Sequence, residues 1–320
     1  MSLQSRIATL ITAIGADIKN HNTRISAIEA GGGGTFTAPL NLPVTTAPAT
    51  PAGGRGLIYP KGSSGFDWAT KDDLGNEINI TDPLKGGRGW IIPNAGSTSV
   101  TQIGIGSLTA TGTATAAARA ITNKHQRIRR VDYLVTVAAT TAVSGWRITS
   151  PHLVRGNAAG VGGFFSRQIF GPATGVSVTT NRGFVGLTAT TGAPTDVQPS
   201  TQVSCIGVGW DAADANLQMM YNDATGTCTK VDLGASFPVP LVDRTSLYEV
   251  DIWCKPNDSL LNWKVIDLIN NISVAGDTGV STDIPTNTTY LAERGWMSVG
   301  GTSSVIGIAF AGLYYHTESY

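Results

Sequence analysis

The sequence predicts a mostly β chain, with an antiparallel β-sandwich or jelly-roll head behind an N-terminal α-helix that assembles as a trimeric coiled coil. Three observations predict this. Charged residues are only 14% of the chain, while 39 Gly stand beside 40 Thr; Thr favours strands and Gly favours turns, and the strong helix formers Lys and Glu are scarce. From about Gly86 onward, short alternating apolar–polar runs are separated by turn residues, with no helical period. Residues 1–30 break that rule with a heptad-like apolar stripe.

In the first element Leu3, Ile7, Leu10, Ile14, Ile18, His21, Ile25 and Ile28 fall at spacings of 4, 3, 4, 4, 3, 4 and 3. This is a coiled-coil seam with a stutter between Ile14 and Ile18. One narrow stripe cannot sustain an isolated helix, so it needs partners, and Ile at nearly every seam position leans toward three strands. His21 reads as a polar layer that fixes register, with a pH- or ion-sensing ring as the sharper alternative. A secretory signal over Arg6–Ala16 competes with the seam, but its apolar region is interrupted by Thr9 and Thr12, and the stripe continues to Ile28.

Residues 31–54 hold four Pro and six Gly in 24 positions and read as a linker. Residues 55–85 form a small β module, with strands expected at Leu57–Tyr59, Phe66–Thr70 and Glu77–Ile80. So short a unit buries too little to stand alone, which again implies assembly. Residues 86–320 form the head. Its strands include the alternating runs Val131–Val137, Tyr248–Cys254, Trp263–Leu268, Val305–Phe310 and Leu313–Tyr315. No repeat of fixed length runs through the head, which argues against a β-helix.

The formal net charge is zero, with 22 basic and 22 acidic residues, which excludes a general nucleic-acid binder. The uncharged run Gly89–Ala118 is too rich in Gly, Ser, Thr, Asn and Gln to insert in a membrane. Cys205, Cys228 and Cys254 are no disulfide framework; they read as buried thiols assembled in a reducing host cytoplasm, with a Cys205–Cys228 bridge as the alternative.

No catalytic motif or metal-ligand spacing is present, so no enzyme activity, metal or cofactor is expected. His125 sits in the basic stretch Lys124–Arg130, which reads as a solvated strand edge or, alternatively, as a contact for an anionic glycan or phosphate. Glu249 and Asp251 lie on one strand face beside Trp253 and could form a sugar subsite, an exposed sheet face or a trimer contact. Sugar binding needs aromatic faces plus amide or carboxylate groups. Trp210, Asp211, Asp214 and Asn216 supply that mixture in a loop-like setting, where the oxygens could also hold calcium; the competing reading makes Trp210 core and the rest turn residues. Trp146 and Arg147, with Tyr290 and Trp296, are further candidates.

Two stretches carry a family resemblance. Trp68-Ala-Thr-Lys-Asp-Asp-Leu-Gly-Asn-Glu-Ile78 resembles a short β element of bacteriophage tail-fibre and virion proteins. Tyr221–Pro238, followed by Tyr248-Glu-Val-Asp-Ile-Trp253, Asn262–Leu268 and the terminal Gly312–Tyr320, resembles the C-terminal lectin-like sandwich of phage fibres and spikes. The resemblance implies a homotrimeric virion fibre or spike subunit, joined at its N-terminus to another virion protein. Its head would attach to a bacterial surface polysaccharide without cleaving it. A purely structural decoration protein and a capsule depolymerase are the alternatives.

Overall fold

The computed structural model describes residues 57–61, 67–71, 77–79, 88–94, 96–104, 107–158, 160–173, 180–240 and 246–317, together with Thr12 and Ala16, which are helical. The chain divides into two compact units, 1–82 and 83–320. Apart from those two helical residues, the seam and the linker lie outside the described residues, so the coiled coil remains an expectation.

The first unit contains β1 (Leu57–Lys61), β2 (Asp67–Lys71) and β3 (Glu77–Asn79), paired as an antiparallel meander with Tyr59 opposite Ala69 and Thr70 opposite Ile78. They overlap the three runs expected from sequence, with β1 two residues longer and β2 shifted by one.

In the second unit the chain runs through β4 (Arg88–Pro93), β5 (Val100–Ile103), β6 (Leu108–Thr111), β7 (Thr113–Ala116), the helical turn α1 (Lys124–Arg127), β8 (Val131–Ala139), β9 (Val143–Ile148), β10 (Phe164–Pro172) and β11 (Arg182–Thr188). It continues through β12 (Cys205–Trp210), β13 (Gln218–Asn222), β14 (Thr229–Asp232), β15 (Tyr248–Cys254), β16 (Asn262–Asp267), β17 (Ile272–Asp277), β18 (Ala292–Ser298) and β19 (Ser304–Thr317).

The described strands of this unit build two antiparallel sheets. One has nine strands in the order β17-β16-β15-β10-β19-β4-β5, with β8 paired to β19 and β7 to β8; the other has seven, β14-β13-β12-β11-β18-β9-β6. The two runs expected near the C-terminus are one strand, β19. Its first half pairs with β8 and its second with β4, and a register shift against β10 between Ile169 and Phe170 lets it serve both.

Period-two alternation sends one residue set of each sheet inward. Phe164, Phe170, Tyr248, Val250, Ile252, Phe310 and Tyr315 from the nine-stranded sheet meet Trp146, Val185, Leu187, Val208, Trp210 and Met297 from the seven-stranded sheet in one buried cluster. Rings interlock between the layers: Trp146 and Phe310 meet edge to face at 5.0 Å, and Phe170 and Trp210 stack at 6.4 Å. Gly295 is required opposite Trp146, because a Cβ there would sit 2.2 Å from the indole.

The outer face of the seven-stranded sheet is covered too. The connection 189–204 folds back over it as a strap, burying Phe184, Cys205, Met220, Cys228 and Trp296 in a second, smaller cluster. Arginines hold the strap by its carbonyls. Arg294 Nη2 donates to Gly192 O (2.7 Å) and Arg147 Nε to Thr191 O (3.1 Å), while Arg182 pairs with Asp196 at 3.0 Å. Beneath the strap the sulfurs of Cys205 and Cys228 lie 3.7 Å apart as free thiols. Among the described residues, no helix is long and apolar enough to cross a membrane.

Candidate functional site

The outer face of the nine-stranded sheet is the part of the second unit where aromatic rings reach solvent together. Register places Trp253, Phe165, His316 and Arg88 side by side on β15, β10, β19 and β4. The next outward row reads Asp251, Arg167, Tyr314, Trp90 and Ile103, from β15 to β5. The rings touch in sequence. Trp253 and Phe165 lie 6.4 Å apart, Phe165 stacks on His316 at 5.6 Å and neighbours Tyr314 at 6.0 Å, and Tyr314 meets Trp90 edge-on at 5.9 Å. Trp90 is 52% exposed and Ile103 62%, and the other rings are half-buried.

Beside this strip sits a polar group. Arg167 Nε and Nη2 donate to the two oxygens of Asp251 at 2.7 and 2.8 Å, and Nε lies 3.2 Å from Glu249 Oε1. The Asp251 hydrogen bond holds the guanidinium more firmly protonated. Burial, reinforced by Asp251, pushes the Glu249 carboxyl up, against the pull of Arg167 and Lys264. The same guanidinium lies 5.6 Å from the centre of the Phe165 ring. Flat rings for the faces of a sugar, flanked by a fixed fork of donors and two carboxylates for its hydroxyls, are what carbohydrate recognition uses.

The arrangement suits binding better than hydrolysis. Glycoside cleavage sets two carboxyls on opposite sides of the scissile bond, roughly 5–9.5 Å apart. Glu249 and Asp251 instead sit side by side on one strand and share a cation. A second constellation, Ser166, Glu293 and His152, lies between the sheets. Ser166 Oγ donates to Glu293 Oε1 (3.3 Å) and His152 Nε2 is 3.4 Å from Glu293 Oε2, so the carboxylate stands between serine and imidazole. Nucleophile activation needs the imidazole against the hydroxyl, and Glu293 is fully buried. Burial pushes its carboxyl up, with His152 opposing.

Of the residues singled out from sequence, Trp253 belongs to the strip. Trp210 and Trp146 do not offer a stacking face: both are fully buried. Trp210 Nε1 donates to Asn181 Oδ1 at 2.6 Å, and alternation along β12 turns its ring into the core. Asp211 and Asp214 hold Lys230 Nζ at 3.2 and 2.5 Å, and Asn216 donates to Asp232 at 3.2 Å. These three close turns at the sheet edge. Among the described residues, no group of three or more His, Cys, Asp or Glu is placed to hold a metal ion. Arg147 serves the strap. Trp296 lies beneath the strap and is buried, whereas Tyr290 is 57% exposed on a loop. His125 is neither a solvated edge nor a glycan contact, because it is wholly buried, and a Cβ on Gly171 would sit 2.9 Å from its imidazole.

Phe165, Tyr314, His316 and Trp90 were not singled out from sequence. The signal was present, since Arg88-x-Trp90, Phe165-x-Arg167 and Tyr314-x-His316 each repeat an aromatic or cationic residue at period two. Only the strand order, which sets β10 between β15 and β19, brings them together.

No protein-family model matches the sequence, and no curated protein matches it. Solved structures align at low identity. A protein of unknown function from Shewanella oneidensis MR-1 is 10% identical, with a TM-score of 0.46 over 75% of this chain and 90% of its own. Arcelin-5, a lectin-like defence protein from Phaseolus vulgaris, is 8% identical, with a TM-score of 0.43 over 72% of this chain and 98% of its own. A Bauhinia forficata lectin solved with GalNAc is 10% identical, with a TM-score of 0.44 over 72% of this chain and 98% of its own. The two-sheet sandwich is established by the strand pairing itself.

Proposed function

We propose that the second unit is a non-catalytic glycan-binding head that attaches a phage fibre or spike to a bacterial surface polysaccharide. The observation that carries this reading is the ring strip Trp253–Phe165–Tyr314–Trp90 with Arg167, Glu249 and Asp251 at its side. A flat, open platform matches an extended chain of sugar rings, which needs no closed pocket. The phage assignment rests on the resemblance of residues 68–78 and 221–320, and the homotrimer rests on the heptad seam of residues 1–30. Three heads on one stalk bind a repeating polymer with avidity, so each site can be weak. Assembly in the host cytoplasm, with the N-terminus joined to another virion protein, completes the reading.

Pull-down of the full chain with polysaccharides isolated from candidate bacteria tests it. Binding without loss of polymer viscosity supports attachment, and falling viscosity points to a depolymerase. One alternative draws on the same observation: exposed Trp90 and Ile103 would also suit a face covered by another virion chain. In that case no polysaccharide binds and the rings are shielded in the assembled particle.

A further inference from the structure

The chain as a whole is neutral, but the segment between β7 and β8 is not. Residues 119–130 contain Arg119, Lys124, Arg127, Arg129 and Arg130 and no acidic residue. Arg130 is spent on structure. It is buried, donates to His125 O (3.0 Å) and Ala118 O (3.4 Å), and faces Asp132 at 3.6 Å. The other four cations are exposed and, among the described residues, take part in no ion pair. Arg167, Arg182 and Lys230 elsewhere on the unit all engage carboxylates.

The segment is held rigidly. Asn123 Oδ1 accepts from Gln126 N (2.9 Å), Ala120 N donates to Gln126 O (3.1 Å), and the His125 side chain packs on Gly171 of β10. Arg119 Nε donates to Arg127 O (3.2 Å), and the two arginines line a shallow cleft of about 180 Å³ together with Ala120 and the 90% exposed Ile121. A held backbone keeps the bases of these cations at set positions around a partly apolar cleft, and arginine forks match carboxylate and phosphate oxygens. The segment packs on the same sheet face as the strip, against Gly171 of β10, four residues along the strand from Arg167. His125 rests on β10, and the charge of Lys124 reaches Glu249 of β15.

We infer that Arg119 and Arg127, supported by Lys124 and Arg129, form a subsite for an anionic substituent, a carboxylate or a phosphate, on the glycan that lies along the strip. This rests on the glycan-binding reading and adds a ligand class to it: an acidic polymer held by stacking along its rings and by charge at one flank. Overall neutrality limits long-range attraction, so the selection is local.

The test uses the full chain, immobilised polygalacturonate as the carboxylate probe and lipopolysaccharide as the phosphate-bearing probe. At about 50 mM salt, where screening is weak, at least one probe is expected to bind wild type about tenfold more tightly than Arg119→Ala/Arg127→Ala. That difference should shrink at about 300 mM salt. A loss confined to lipopolysaccharide assigns the substituent to phosphate, and a loss confined to polygalacturonate assigns it to a carboxylate. Both side chains are exposed, so thermal melts of the variant should match wild type. Equal binding by variant and wild type, or no binding of wild type to either probe, overturns the subsite. Trp90→Ala/Trp253→Ala separates the two claims: if it alone abolishes binding, the platform stands and the subsite falls. If only the arginine pair matters, the subsite stands and the platform falls.

Discussion

Arg167 grips Asp251 with both ends of its fork, at 2.7 and 2.8 Å, across the β10–β15 pairing beside the ring strip. Its side chain is 41% exposed, so water screens the pair and its contribution is moderate. Arg167→Ala leaves two adjacent, largely buried carboxylates without their cation, at a cost of about 1–2 kcal/mol at neutral pH. The pH dependence follows from Glu249, whose carboxyl is already raised by burial and by Asp251 and rises further without Arg167. A carboxyl whose folded pKa lies above its unfolded value of about 4.3 loses stability as pH rises from that value through the folded one. The penalty is therefore largest near pH 7 and smallest near pH 4, as thermal melts across that range will show.

Glu293 gives the same sign from the interior. It is fully buried, with its carboxyl pushed up by desolvation. In wild type, stability falls as pH rises through the window above about 4.3, because folding then holds a charge away from water. Glu293→Gln keeps the shape and the contact with Ser166 but carries no charge. It should match wild type near pH 4 and exceed it by about 1 kcal/mol near pH 8. Urea titrations at the two pH values check this.

The strap depends on its arginines. Arg294 is 4% exposed, and burial together with the neighbouring Arg147 pushes its guanidinium down to about 10, so it stays charged at neutral pH. Arg294→Ala removes the donors to Thr190 O and Gly192 O and should cost about 2–3 kcal/mol. Limited proteolysis should then cut within 189–204, while amides of β15 and β10 keep their hydrogen-exchange protection.

Two tryptophans separate core from surface. Trp210→Ala empties a fully buried site and strands the Asn181 side chain, at a cost of about 3–5 kcal/mol. Trp90→Ala alters a half-exposed ring and should change stability by less than about 1 kcal/mol. Denaturant titration of both variants checks the contrast.

The difference between these two rings also shows what the sequence could reveal. Alternation located β8, β15 and β16 well, because one face of each strand packs in the core and selects apolar residues at period two. It could not say which layer faces which. Trp210 ends a strand and precedes Asp211 and Asp214, so sequence made it look like part of a loop, whereas six consecutive buried residues in β12 place it inside. The strand's inward residues are buried by the opposite sheet and its outward ones by the strap, both long-range features with no local signature. The strip was hidden for a related reason: its rings come from β4, β10, β15 and β19, separated by most of the chain and joined only by strand order. Trp253 was legible because Glu249 and Asp251 share its face on a single strand.

The central claim is that the ring strip binds polysaccharide, and one measurement tests it most directly. Full-length wild type, Trp90→Ala and Trp253→Ala are titrated calorimetrically with the surface polysaccharide of a bacterium that wild type decorates. The account predicts saturable binding for wild type, roughly tenfold weaker binding for each variant and melting temperatures within about 4 °C of wild type. Binding that survives both substitutions undiminished contradicts it.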